Sequence, residues 1–165
     1  MGMIGNLLRV SDANLNAFKA DSTKLEDTIH RARADESPEL IDIDKTWDGI
    51  VFLLTGQSAQ STSHELSRVI FSGALVDEAQ DLGMGPAHYL TPDEVRSLHD
   101  TIKNISTETL QERFDPQKMT ELEVYPQIWD EGDEAFDYLK SNFLALIEFY
   151  GSAVREQQAI ITFVN

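Results

Sequence analysis

Residues 40–50 read LIDIDKTWDGI, and the run DIDKT sets Asp42 and Asp44 two residues apart ahead of Thr46. An Asp-x-Asp-x-Thr run after apolar residues is how aspartyl-phosphate enzymes present a carboxylate nucleophile. A second run, GDEAFD at 132–137, has the Gly-Asp-x-x-x-Asp form that holds magnesium in that chemistry. Asp133 would be its metal-binding acid, and Lys103 or Lys118 would neutralise the phosphate.

That chemistry needs the nucleophile at the C-terminal end of a central parallel strand, behind a near-continuous apolar run. Only Leu40 and Ile41 precede Asp42, behind Pro38 and Glu39. With 29 Asp and Glu in 165 residues, such spacings recur by chance. Helix capping accounts for more residues. Asp44 as N-cap would accept a first-turn amide, a contact worth about 1 kcal/mol. Trp47, Ile50, Val51 and Leu54 then fall at i, i+3, i+4 and i+7, with Gly56 where a left-handed terminating residue belongs. Asp130, Glu131, Asp133 and Glu134 likewise stand at the start of a long helix, where negative charge meets the positive dipole end. The magnesium-dependent phosphatase built on Asp42, Asp44 and Asp133 is therefore the alternative reading.

The remaining chemical patterns are incomplete. Asp44-x-Thr46-x-Asp48-Gly49 imitates half a calcium loop, but the twelfth position is Thr55 where a bidentate Glu is required. His64-Glu65 lacks the second histidine of a zinc helix, and His30, His88 and His99 have no i, i+4 metal-binding partner. No Gly-x-Ser-x-Gly elbow occurs, and GMGP at 83–86 lacks the Gly-Lys-Ser/Thr ending of a phosphate loop. The chain has no cysteine, which excludes disulfides, thiolate metal sites and thiol nucleophiles. No catalytic constellation, cofactor motif or metal-ligand set is complete.

Charge is the unusual quantity: 13 Lys and Arg against 29 Asp and Glu give a net charge of −16. Such a surface repels nucleic acid and anionic lipid and attracts basic partners. No apolar run approaches a membrane span, and MGMIGNLLRV lacks the basic region and cleavage site of a signal peptide, so a cytoplasmic location is expected. A binding surface would draw on Trp47, Tyr89, Tyr125 and Trp129, aromatics in or beside cap and turn segments, with Asp44, Lys45 and His88 near them in sequence. The structural alternative has both tryptophans closing the core, each indole N–H held by a backbone carbonyl.

The elements that must position these residues follow from period and punctuation. MIGNLLRV (3–10) reads as a strand running into a helix that starts at Ser11-Asp12, with Leu15 and Phe18 inward. Thr23 with Glu26, and Thr62 with Glu65, have capping-box spacing, and 33–39 is a solvated loop. AHYL at 87–90 is a short strand. TPDEV then combines Thr91 as N-cap, Pro92 at N1 and Glu94 at N3 of a helix with Val95, Leu98 and Ile102 inward. Asp115-Pro116 opens another helix, and LEVYP (122–126) reads as a strand stopped by Pro126. Phe136, Leu139, Phe143, Ile147, Tyr150 and Val154 mark the last long helix, and AIITFVN a buried terminal strand. Interleaved helices and short strands in a chain of this length predict one α/β (mixed α+β) domain over 1–165. Its small mixed sheet is covered by helices on both faces.

With MGMIG at the start, then LIDIDKTWDGIVFLLTG, GPAHYLTPDEV, LEVYPQIWDE and a long helix ending in a strand, nearly the whole chain resembles the YfbM-like family of small bacterial proteins. The family is classed as a domain of unknown function. The resemblance implies a three-layer α-β-α sandwich and brings no activity, cofactor or catalytic residue. It also weighs against the phosphatase: Asp44, Lys45 and Trp47 match the family's Asp-Lys-x-Trp helix start. The expected function is that of a non-enzymatic binding or regulatory module of the immunity type, meeting a basic protein through its acidic surface. A small-molecule-binding role stands with the phosphatase as the alternative.

Overall fold

Strand β1 (Gly5–Val10) shows how the chain divides its apolar residues. Side chains alternate across a strand, and Leu7 enters one hydrophobic cluster while Leu8 and Val10 enter another. The last strand repeats the division. In Ala159–Val164 every residue is buried, with Ile160 and Val164 facing the first cluster and Ala159, Ile161 and Phe163 the second. The sheet therefore has helices on both faces. These features belong to a computed structural model that describes residues 2–165.

Two short strands complete the sheet, β2 (Leu40–Asp42) and β3 (His88–Leu90); with Ala159–Val164 as β4 the order is β2-β1-β4-β3. The register sets Leu7 opposite Ile41, Leu8 opposite Ile161 and Tyr89 opposite Ile161 on its other side. The mixed α+β class holds, but every pairing is antiparallel, where a mixed sheet was expected. A single crossover helix would return the chain for a parallel strand. Here two helices, α1 (Asp12–Ala20) and α2 (Thr23–Ala34), separate β1 from β2 and leave the chain at the end where β1 finished.

Helices α1 and α2 form the thinner layer, packing Leu15, Phe18, Leu25 and Ile29 on Leu8, Val10 and the β4 residues, with Val76 and Ala87 beside them. The thicker layer holds α3 (Trp47–Thr55), α4 (Pro92–Ile102), α5 (Thr107–Arg113), α6 (Pro116–Glu121) and α7 (Asp133–Arg155). Every residue of α3 from Trp47 to Leu54 is buried, Asp48 included. Gly49 lets α3 approach its neighbours, since a Cβ there would lie 2.5 Å from Leu139 and 2.9 Å from the Trp129 ring. Gly56 ends the helix at φ 78°, as its position in the sequence predicts.

Several caps form as the residue types require. The Ser11 hydroxyl accepts from Asn14 N, the Thr91 hydroxyl from Glu94 N, and the Asp115 carboxylate from Lys118 N. The other two capping boxes do not form. At α2 the Asp21 carboxylate accepts from the Thr23 amide and hydroxyl, and Glu26 turns to Gln80. At 65–69 the chain makes a 3-10 turn whose amide at Leu66 is capped by His64 Nδ1. The strand expected over 122–126 is absent: Glu123 takes φ 54°, Tyr125-Pro126 is a cis peptide, and Asp48 holds the Tyr125 amide. Helix α5 and strand β2 were not expected, although α5 begins with a good N-cap residue, Ser106, whose hydroxyl accepts from Thr109 N.

Candidate functional site

The backbone at Asp44 departs from the N-cap expected of it. Residues Asp44–Thr46 form a 3-10 turn entered with Asp44 at φ 51°, and α3 starts only at Trp47. Aspartate tolerates this left-handed region better than most residues. The Asp42 carboxylate accepts from the Asp44 amide at 3.2 Å, so the acid at 42 closes the turn that Asp44 was expected to cap. Freed from capping, the Asp44 side chain lies near the Tyr138 hydroxyl, which accepts from the Lys45 amide at 3.2 Å. Partial burial, then the neighbouring Asp44 carboxylate, pushes the Tyr138 phenol up to about 12.

A cleft of about 520 Å³ opens beside this turn. Asp44 and Lys45 form one wall, Tyr138 and Glu134 of α7 another, and Tyr125, Pro126, Ile128 and Glu131 close it, with Gly2 at the rim. Three carboxylates thus face one lysine ammonium beside two tyrosine rings. The arrangement suits a cationic group that is flat or carries a methylene stem, since carboxylates supply charge and ring faces attract cations.

Buried polar bonds hold the cleft walls. The Trp47 indole stacks on Tyr125 with ring centroids 5.4 Å apart. Its N–H donates to the Met3 carbonyl at 2.9 Å, while the Met3 amide donates to the Tyr125 hydroxyl, also at 2.9 Å. Beneath them Asp48, 3% exposed, accepts from the Ala59 amide at 2.7 Å, the Tyr125 amide at 2.9 Å and the Ser58 hydroxyl at 3.2 Å. One carboxylate therefore ties the loop after α3 to the turn that carries Tyr125.

Of the residues named from sequence, Asp44, Lys45 and Tyr125 line the cleft and Trp47 backs it. Trp129 is fully buried with its indole N–H on the Val124 carbonyl at 2.7 Å, so both tryptophans close the core in the way the structural alternative describes. His88 ends an aromatic chain that runs from Trp47 through Phe71, centroids 5.7 and then 5.4 Å apart, and lies away from the cleft. Burial lowers the His88 pKa, and its Nδ1 accepts from the Gly73 amide, so both effects favour the neutral ring. Tyr89 faces the opposite side of the sheet, under the Lys19 ammonium 4.7 Å from its ring.

Asp42, Asp44 and Asp133 are not brought together as a magnesium site would require. Asp42 lies on an edge strand near Arg33 and Asn6, Asp44 in the cleft, and Asp133 at the exposed first position of α7. Among the described residues no group of three or more His, Asp or Glu is placed to hold a metal ion. Asp42 instead closes its own turn, Asp44 faces the cleft, and Asp133 stands at a helix start. Reasoning from sequence missed Asp48, Tyr138 and Glu134. Asp48 had a signal, as the one charged residue in the apolar run WDGIVFLLT. Tyr138 had none, because its distance from Asp44 is set by helix packing.

Among the described residues no helix is long and apolar enough to cross a membrane. The family model described as a domain of unknown function (DUF1877) matches residues 1–163. Protein YfbM of Escherichia coli strain K12 is 29% identical over 132 residues, which cover 78% of this chain and 75% of that protein. The crystal structure of YfbM from Escherichia coli, a protein of unknown function, shares the fold with a TM-score of 0.78 at 22% identity, covering 98% of this chain and 99% of that one. A sequence match over nearly the full length and a shared fold together place the chain in the YfbM-like DUF1877 family.

Proposed function

We propose that the protein is a non-enzymatic binding module whose cleft at Asp44, Glu131 and Glu134 receives a lysine or arginine side chain of a basic protein partner. The observation that carries this reading is the lining itself, three carboxylates and two tyrosine rings around one lysine. The net charge of −16 adds long-range attraction that speeds encounter with a positive partner. A regulatory or immunity-type role fits such a surface, because it blocks or sequesters a basic protein without chemistry of its own.

Fluorescence anisotropy with a labelled lysine- and arginine-rich peptide tests the reading. Binding should weaken at least about tenfold between low salt and about 0.5 M salt. The double substitution Glu131→Gln with Glu134→Gln should weaken it further at fixed salt. Equal binding at both salt concentrations, or wild-type binding by the double variant, would remove the electrostatic basis. The same peptide bound by a variant neutralised at distant acids only would place the interaction at the cleft.

A further inference from the structure

The acidic cleft holds a cation of its own. Lys45 lines it beside Asp44, Glu131 and Glu134. Its backbone belongs to the 3-10 turn ahead of α3, and its amide donates to the Tyr138 hydroxyl at 3.2 Å. The side chain therefore starts from a point anchored to α7.

The far end of that side chain is held by a second element. Gly2 stands at the rim, and a Cβ there would overlap Lys45 Cε and lie 2.9 Å from Cδ and 3.1 Å from Nζ. The lysine stem thus lies across the Gly2 Cα, in space that any side chain at position 2 would claim. The segment beneath it is fixed in turn. The Met3 amide donates to the Tyr125 hydroxyl, the Met3 carbonyl accepts from the Trp47 indole, and Ile4 exchanges two backbone bonds with Asn165 at 2.7 and 3.0 Å. None of the ion pairs among the described residues includes Lys45, so packing of the stem keeps the ammonium group at the cleft.

The consequence is electrostatic. A basic side chain entering a cleft of about 520 Å³ meets three carboxylates and one like charge. Such a space is about 10 Å across, one Debye length at 0.1 M salt, so the repulsion between the two cations is only partly screened. We infer that Lys45 is an autoinhibitory residue, whose tethered ammonium group competes with the partner's cation for Asp44, Glu131 and Glu134. The inference rests on the reading of the cleft as a cation site and adds its regulation: loss of the charge at Lys45 raises affinity for a basic partner.

Fluorescence anisotropy with the labelled lysine- and arginine-rich peptide tests this by comparing Lys45→Gln with Lys103→Gln. The second substitution removes the same charge from an α4 lysine that pairs with Asp100 at 2.9 Å. At about 0.05 M salt Lys45→Gln should bind the peptide about five- to tenfold more tightly than the unaltered protein. Lys103→Gln should gain less than about twofold. Lys45→Ala, which removes the stem as well, should match Lys45→Gln, and circular dichroism of each variant should match the unaltered protein. At about 0.5 M salt the gain should shrink below about twofold. No gain at Lys45, weaker binding there, or equal gains at both lysines overturns the autoinhibitory role while leaving the cleft reading intact. Absence of peptide binding by the unaltered protein and by both Lys45 variants overturns the cleft reading and this inference together.

Discussion

The two faces of the sheet are built by different means. On the α1–α2 face, Leu15, Phe18, Leu25 and Ile29 meet Leu8, Val10, Ile161 and Phe163 in an apolar layer, with two buried polar side chains beside it, Asn6 near Arg33 and Gln80 bonded to Ser22 and Glu26. On the α3–α7 face the core also contains polar atoms: Asp48 bonded to Ser58, Ala59 and Tyr125, Tyr150 donating to the Val69 carbonyl, and both indoles bonded to backbone. The difference is one of backbone. The first face is made chiefly of regular helices that satisfy themselves, with the irregular stretch 74–87 beside them, whereas the second includes the irregular stretches 57–73 and 122–132, whose amides and carbonyls need partners. Where the chain is irregular it can form a cleft, and the buried polar groups hold it in shape.

Truncating the largest anchor on each face sets the scale of this contrast. Trp129→Ala removes a fully buried ring and its bond to Val124, and should cost about 4 kcal/mol. Phe18→Ala on the thinner face should cost about 3 kcal/mol. Urea unfolding of both variants measures the gap, and a larger loss at Phe18 would reverse the ranking of the two layers. Next in size, Asp48→Ala leaves the Ala59 and Tyr125 amides without their acceptor and should cost about 3 kcal/mol. Hydrogen exchange locates that effect: the amides of Ala59 and Tyr125 should lose protection while those of α1 and α2 keep theirs. Uniform loss across both faces would show that Asp48 does not act locally.

Alkaline pH gives a milder probe of the same face. Burial raises the phenol of Tyr150 far above its ordinary value, and that of Tyr138 to about 12. Below about pH 10 the phenols are protonated in both folded and unfolded chains, and their contribution to stability is fully present. As pH rises from 10 towards 12 the unfolded chain releases these protons first, so stability falls. Urea midpoints measured across this range should fall less steeply in Tyr150→Phe, and by a smaller margin in the partly exposed Tyr138→Phe. An unchanged slope in Tyr150→Phe would sink the burial argument. The smallest effect is expected at Asp44→Gly, which relieves the left-handed backbone at φ 51° and should change stability by less than about 1 kcal/mol. The same substitution should weaken binding of the basic peptide.

Much of this architecture was legible before the fold. The TPDEV helix, the Gly56 stop, the long helix through Phe136 and Tyr150 and the two flanking strands follow from residue type at fixed offsets. Misreadings fell where another partner, often distant in sequence, displaced the local one. Thr23 and Glu26 have capping-box spacing, yet Asp21 and Gln80 offered better partners. LEVYP alternates like a strand, yet a buried carboxylate 77 residues away takes its Tyr125 amide. Of the cleft, Asp44, Lys45 and Tyr125 could be named in advance. Tyr138 and Glu134 could not, because only the packing of α7 beside the 44–46 turn makes them neighbours.

By itself the sequence determined the apolar periods, the best helix ends, the absence of thiol chemistry and a surface charged at −16. These depend on interactions within a few residues, or on composition alone. Tertiary structure decided that the sheet is antiparallel, that Asp42 closes a turn while Asp44 faces a tyrosine, and that Asp48 is buried. Each of those depends on which distant donor or acceptor reaches a group first, and that competition is settled only when the layers pack.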